Sequence, residues 1–207
     1  MMRLNDNRKC VILGNGEYPS ASIPLSILYN AEYVVCCDGA ADKYISEGLM
    51  PNKIIGDCDS LSDNFQKLYH NIIIKDSDQE TNDLTKSVKY LLNSGITEFD
   101  IVGATGKRED HTLGNISLLI DYMNMGADVR IFTDYGMFIP CKGTTTTPSY
   151  EKQQISIFNI NAKSIFSKDL RYPLKDFTKW WEGTLNESLS DTITIEAEGE
   201  YILFLNY

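Results

Sequence analysis

The sequence predicts an α/β domain over residues 1–134, a parallel sheet with helices on both faces, and a small all-β sandwich over residues 135–207. Three observations predict it. Short continuous apolar runs alternate with stretches of helical spacing over the first two thirds of the chain, the pattern of strands buried on both faces and joined by crossover helices. After about residue 135 the helical periodicity stops and short alternating runs take its place. No internal repeat, low-complexity tract or long linker interrupts the chain.

In order, the apolar runs are CVIL (10–13), YVVCC (33–37), KIIG (53–56), NIIIK (71–75), FDIVG (99–103) and VRIF (129–132). Leu84, Val88 and Leu91 recur at helical spacing, as do Leu113, Ile116, Ile120 and Met123, and each set predicts the buried stripe of a helix. Gly95 and Gly126 follow where those helices should stop. This makes the first domain Rossmann-like. In the second, QISIFNI (154–160), DTITIEA (191–197) and YILFL (201–205) read as strands. The segments GTTTTPS (143–149) and EGTLNES (182–188) read as turn-rich breaks, with the threonine run an edge strand or loop. Trp180 and Trp181 read as packing of the β domain.

Nineteen basic residues against 29 acidic ones leave a net charge of −10. A phosphate backbone is met by a basic surface, so this balance argues against a nucleic-acid partner. Five cysteines without a C-x-x-C spacing indicate neither a disulfide framework nor a zinc ribbon. The opening residues are polar, and the run Cys10–Leu13 is too short for a signal peptide or membrane span. A reduced, cytoplasmic protein is expected.

Ligands of open α/β sheets bind beyond the carboxyl ends of the strands. Three successive strand ends carry dense polar clusters: Asp57 to Ser60, Asp76 to Asp83 with Lys86, and Ala104 to His111. Residues 57 to 83 hold seven carboxylates and two lysines. Such a gathering repels itself unless a cation neutralises it, and oxygen donors with few imidazoles or thiolates suit Mg²⁺ or Ca²⁺ and not zinc; Mg²⁺ completes its shell with water and substrate phosphates. Lys86, Arg108 and, less directly, Lys107 would then face phosphate oxygens, with Gly103 and Gly106 letting the backbone approach. Plainer roles compete: Ser60-x-x-Asp63 resembles a capping box, Asn82 and Asp83 resemble helix caps, and Asp83 with Lys86 could form a surface pair. Gly14-Asn15-Gly16 is only part of a dinucleotide loop, because Pro19 stands where its last glycine would fall.

Four ordered motifs carry a resemblance: Asp38-Gly39-Ala40-Ala41; Gly56-Asp57-Cys58-Asp59-Ser60; Asp78-Gln79-Glu80-Thr81-Asn82-Asp83 with Lys86; and Gly103-Ala104-Thr105-Gly106-Lys107-Arg108-Glu109-Asp110-His111 with Asn115. In order and spacing they resemble the thiamine pyrophosphokinase family over most of residues 10–135. The resemblance implies transfer of pyrophosphate from ATP to thiamine, giving thiamine diphosphate and AMP. It implies Mg²⁺ held by Asp57, Asp59, Asp78 and Asp83, and a triphosphate clamped by Lys86 and Arg108. Gln79, Asn82, Gly103, Thr105, Gly106, Asp110, His111 and Asn115 would complete the nucleotide site. Asp38, Asp59, Thr184, Leu185 and Asn186 would contact thiamine. A homodimer with its active site at the subunit interface is implied as well. Two positions differ from the family pattern: Asn82 stands for a threonine, and Leu185 for the serine of a Ser-Asn pair. Leu170-Arg171-Tyr172-Pro173-Leu174 is similar to a family segment.

Two other readings fit parts of the pattern. A haloacid-dehalogenase-like phosphatase would use Asp57 as nucleophile and Asp59 as acid, and would need a further acid after a later strand, where only Asp134 is offered. A nucleotide- or thiamine-binding sensor would keep the fold without turnover.

Overall fold

A computed structural model describes residues 8–59 and 61–207. The polar opening residues and Ser60, with the capping box assigned to it, lie outside the described residues. Two compact units form, one ending at Asp134 and the other running from Tyr135 to Tyr207.

The first unit alternates strictly: β1 (Cys10–Leu13), α1 (Ser22–Tyr29), β2 (Tyr33–Cys37), α2 (Ala40–Ser46), β3 (Lys53–Gly56), α3 (Asp63–Leu68), β4 (Ile73–Lys75), α4 (Asp83–Asn93), β5 (Glu98–Val102), α5 (Glu109–Asn124) and β6 (Asp128–Phe132). Its strands are all parallel, in the order β6-β5-β1-β2-β3-β4. Every residue of β1 is buried, as are the last four of β2 and of β5, as continuous apolar runs require. The chain leaves β1 toward β2 on one side and returns to place β5 on the other. The order of strands therefore reverses between β1 and β5, the switch point at which such sheets bind ligands.

Helix α4 buries Leu84, Val88 and Leu91, as their spacing predicts. Helix α5 follows its predicted stripe only in part. It buries Leu119, Ile120 and Tyr122 and leaves Leu113 56% exposed. The Tyr122 hydroxyl meets Thr85 Oγ1 of α4 at 2.8 Å in the interior, so this polar pair helps set the face that turns inward. Helix α3 is capped by Ser62, whose hydroxyl accepts from the Phe65 N–H at 3.3 Å. At the ends of the strands opposite the site, buried Asp100 is bridged by Arg130 at 2.8 Å and approached by Arg8 at 3.7 Å.

The second unit is antiparallel: β7 (Gly136–Lys142), β8 (Thr145–Pro148), β9 (Gln154–Asn159), β10 (Lys163–Phe166), β11 (Gly183–Glu187), β12 (Thr192–Glu198) and β13 (Glu200–Asn206). One sheet runs β11-β9-β13-β7 and the other β10-β12-β8. Ile155, Ile157, Leu203 and Leu205 of the first and Ile165, Ile193 and Ile195 of the second are buried. The threonine run is β8, paired with β12. The segment read as the break EGTLNES contains β11 instead. Its register on β9 shifts between Gly183 and Asn186, and Leu185 within it takes a φ of +61°, so no simple alternation marks the strand. Trp180 stacks on Phe158 with ring centroids 5.3 Å apart, yet it and Trp181 stay half exposed.

Candidate active site

A cavity of about 470 Å³ lies in the first unit, lined from the ends of β1, β2, β3 and β5 and the starts of α4 and α5. Its floor is two glycine loops zipped together by backbone. Gly14 N–H donates to Val102 O at 2.8 Å, Gly16 N–H to Gly103 O at 2.7 Å, and Glu17 N–H to Thr105 O at 2.8 Å. A Cβ on Gly16 would overlap the Thr105 carbonyl and stand 2.6 Å from Gly103 O, so only glycine permits this approach. Gly103 and Gly106 take φ of +66° and +76°.

Asp57 enters from the end of β3. Gln79, Thr81, Asn82, Asp83 and Lys86 line the β4–α4 side, and Gly106, Arg108, His111 and Asn115 the β5–α5 side. A hydrogen-bond chain fixes the helix starts. Asn82 Oδ1 caps α4 by accepting from Thr85 N–H at 2.9 Å, Asn82 Nδ2 donates to Asn115 Oδ1 at 3.1 Å, and Asn115 Nδ2 donates to Ala104 O at 2.7 Å. Thr81 Oγ1 donates to Asp78 Oδ2 at 2.8 Å. Lys86 is 5% exposed, and its ammonium donates to Asp76 O at 3.1 Å and Asp83 Oδ1 at 3.2 Å. Burial works against its charge, and the Asp83 carboxylate beside it more than offsets that, so its pKa lies above the ordinary lysine value.

Part of the acid surplus has a local cause. Asp57, Asp76 and Asp78 each accept the N–H two residues on, at 2.9 to 3.1 Å, so these carboxylates shape their own loops. The Asp59 N–H, helped by Gln79 and Lys86, holds the Asp57 carboxyl below its usual range, and the Glu80 N–H and Thr81 hydroxyl do the same for Asp78. Of the four expected metal ligands, Asp57 and Asp83 reach the cavity lining, while Asp59 and Asp78 are not on it. Among the described residues no group of three or more His, Cys, Asp or Glu side chains is gathered to hold a metal ion. The expectation that the four carboxylates hold or orient Mg²⁺, directly or through water, thus has two of them on the cavity lining. Two carboxylates fit Mg²⁺, which takes few protein ligands and fills its shell with water and phosphate.

Asp38 is 3% exposed beside this end of the sheet; a Cβ on Gly56 would lie 2.8 Å from its Cβ and 3.1 Å from Asp83 Oδ2. Asp110 lies outside the lining and grips Arg108 through both carboxylate oxygens, which lowers its own pKa and raises that of the guanidinium. Gly103 and Thr105 serve the floor through their backbone. Lys107 of the fourth motif lines the cavity too, as do Asn15 and Cys37, which no complete motif assigned to it. The incomplete Gly-Asn-Gly loop was the one signal that pointed to Asn15.

The three residues expected at thiamine belong to the second unit. Thr184 Oγ1 donates to Trp181 O at 2.9 Å. Leu185 is 78% exposed. Asn186 is 5% exposed, and its side chain is engaged by backbone: Oδ1 accepts from Tyr172 and Glu187 N–H, and Nδ2 donates to Tyr172 O at 2.8 Å. It clamps the segment around Tyr172. Asp134, the acid a phosphatase would need, accepts from the N–H groups of Ser20 and Ala21 at 2.9 and 3.0 Å and from the Ser20 hydroxyl. It holds the turn that leads into α1.

A family model described as thiamin pyrophosphokinase, catalytic domain, matches residues 25–132, and one described as thiamin pyrophosphokinase, substrate-binding domain, matches residues 136–204. A curated relative named thiamine pyrophosphokinase 1, from Oryza sativa subsp. japonica, is 30% identical over 117 residues, 44% of either chain, so the match spans less than half the length of that relative. The thiamine pyrophosphokinase of Bacillus subtilis superposes with a TM-score of 0.78 at 19% identity, covering 96% of this chain and 99% of that one. Yeast thiamin pyrophosphokinase superposes at 0.77 and 19% identity, covering 99% and 88%, and that of Candida albicans at 0.74 and 18%, covering 95% and 89%. At these identities the superpositions show the fold.

Proposed function

The chain belongs to the thiamin pyrophosphokinase family, and from that premise we propose that it transfers the terminal pyrophosphoryl group of ATP to the hydroxyl of thiamine, releasing AMP. The observation that carries the reading is the cavity at the switch point, where Lys86 and Arg108 face two carboxylates across a backbone floor made for close approach. Transfer of this kind rests on positioning and on charge neutralisation over phosphate oxygens.

In this reading the thiamine oxygen bonds to the β-phosphorus and the bond from that phosphorus to the α–β bridging oxygen breaks, leaving AMP. Lys86 and Arg108 neutralise the phosphate oxygens. The N–H groups at the starts of α4 and α5 face the same charge. Asn82 and Asn115 hold the two helix starts in register with the floor, and Asp110 orients Arg108. Asp57 and Asp83 would hold Mg²⁺, which when bound supplies further neutralisation of phosphate charge. Asp38 and Asp59 of the first unit and, separately, Thr184, Leu185 and Asn186 of the second stand as proposed thiamine contacts. Asp38, Asp59 and Asp78 are not on the cavity lining, and Asp78 stands as a proposal for the metal.

The reading carries with it a cytoplasmic homodimer acting on two small molecules. Among the described residues no helix is long and apolar enough to cross a membrane. Incubation with Mg-ATP, with and without thiamine, followed by chromatography of the products tests it. Thiamine-dependent AMP matched by thiamine diphosphate is expected. ADP in place of AMP would mean transfer of a single phosphate, and saturable thiamine binding without any product would favour a sensor.

A further inference from the structure

Lys107 is a cation of the cavity that the proposed function leaves unused. It follows Gly106 in the loop after β5 and lines the cavity with a φ of +57°. Side chains rarely adopt that backbone conformation, and glycine would adopt it without steric cost. The lysine therefore stands at a position whose backbone would suit glycine better.

Its ammonium reaches the loop after β1, 3.0 Å from Asn15 O and 3.3 Å from Asn15 Oδ1. Both acceptors are uncharged. The other two cations lining the cavity are already in ion pairs, Lys86 with Asp83 and Arg108 with Asp110. Among the described residues no carboxylate lies within 4.0 Å of Lys107 Nζ, although the Glu17 carboxylate stands by the neighbouring Gly106, so the ammonium is held by uncharged acceptors. An anionic phosphate oxygen is a stronger acceptor for an ammonium than a carbonyl is. Asn15 is itself braced. It sits between Gly14 and Gly16, which are zipped to the β5 loop, and its Nδ2 lies 2.9 Å from where a Cβ on Gly39 would stand. Lys107 and Asn15 thus tie the loop after β5 to the loop after β1 at the cavity.

We propose that Lys107 is a phosphate-contacting residue for the polyphosphate chain of the nucleotide, and that Asn15 is the positioning residue that holds its ammonium at the cavity. The inference rests on the nucleotide reading of the site and adds a cation to it. Binding of a non-hydrolysable ATP analogue and of adenosine is measured by calorimetry on the wild-type chain and on K107G, K107M and K107R, with urea melts of each. K107G relieves the backbone and should keep the wild-type urea midpoint, yet bind the ATP analogue about tenfold more weakly. K107M should weaken it equally, K107R should restore most of the affinity, and adenosine should bind all four alike. In turnover, N15A should raise KM for ATP severalfold with little change in kcat. Wild-type affinity for the analogue in both K107G and K107M would overturn the assignment while leaving the nucleotide site intact. A wild-type chain that binds no ATP analogue would instead defeat the nucleotide reading, and this inference with it.

Discussion

Lys86 shows how one residue can belong to both the core and the site. Its stem is buried on the inward face of α4 beside Leu84 and Val88, and its ammonium emerges between Asp76 O and Asp83. A buried ammonium is costly unless paired, and here the pair sits at the cavity, where phosphate oxygens would share the charge. Lys86→Met should leave the fold in place and slow thiamine diphosphate formation by about a hundredfold or more, as removal of a preorganised donor does; unchanged kcat would remove Lys86 from the site. Asp134 teaches the opposite lesson. It reads as a candidate acid in isolation, and the structure places it on the N–H groups of Ser20 and Ala21. Asp134→Ala should lower stability by about 1–2 kcal/mol, the usual cost of lost hydrogen bonds to a carboxylate, in a urea melt. A midpoint equal to the wild type would show these bonds to be dispensable.

At the scale of elements, the glycine loops decide whether the site exists. Gly16 and Gly103 let two backbones meet at hydrogen-bond distance. Gly16→Ala should separate them, cost about 1–3 kcal/mol of stability as overpacking does, and weaken ATP binding more than thiamine binding. Equal loss of both affinities would show global damage instead of a local floor. The central parallel strands were readable from sequence because a run such as CVIL, apolar at every position, suits a strand with no solvent face, and β12 because its residues alternate. Helix α4 was readable because its apolar stripe meets the sheet. Helix α5 misled because Leu113 and Ile116 keep helical spacing while the helix turns Leu119 and Tyr122 inward. Helix α3 buries none of its residues and so leaves no stripe to find. Strand β11 was hidden by its irregular register and by the left-handed backbone at Leu185. Within the site, the acids and the Arg108 loop were visible as motifs. Asn15 was not, because its partners are Lys107, 92 residues away, and Gly39, and a pattern read along the chain does not join loops that far apart.

On the scale of the whole molecule, a parallel-sheet unit carries the cavity lined by Lys86, Lys107 and Arg108, and an antiparallel unit follows it in the chain. The net charge of −10 bears on the proposed substrates in opposite ways. It repels ATP and draws in thiamine, a cation, so the cavity cations must act locally against the overall field. The association rate of thiamine should fall severalfold between about 0.01 M and about 1 M salt, as the Debye length shrinks from about 30 Å to about 3 Å. Stopped-flow quenching of tryptophan fluorescence measures it, and a rate independent of salt would exclude steering.

The central claim is that this cavity moves the β- and γ-phosphoryl groups of ATP together. ATP labelled at its β-phosphorus tests it most directly. In the wild-type chain the label should enter thiamine diphosphate in step with AMP release, and in Asp57→Asn the transfer should slow by about a hundredfold or more while thiamine still binds. Label recovered in ADP, or transferred by Asp57→Asn at the wild-type rate, would contradict the account.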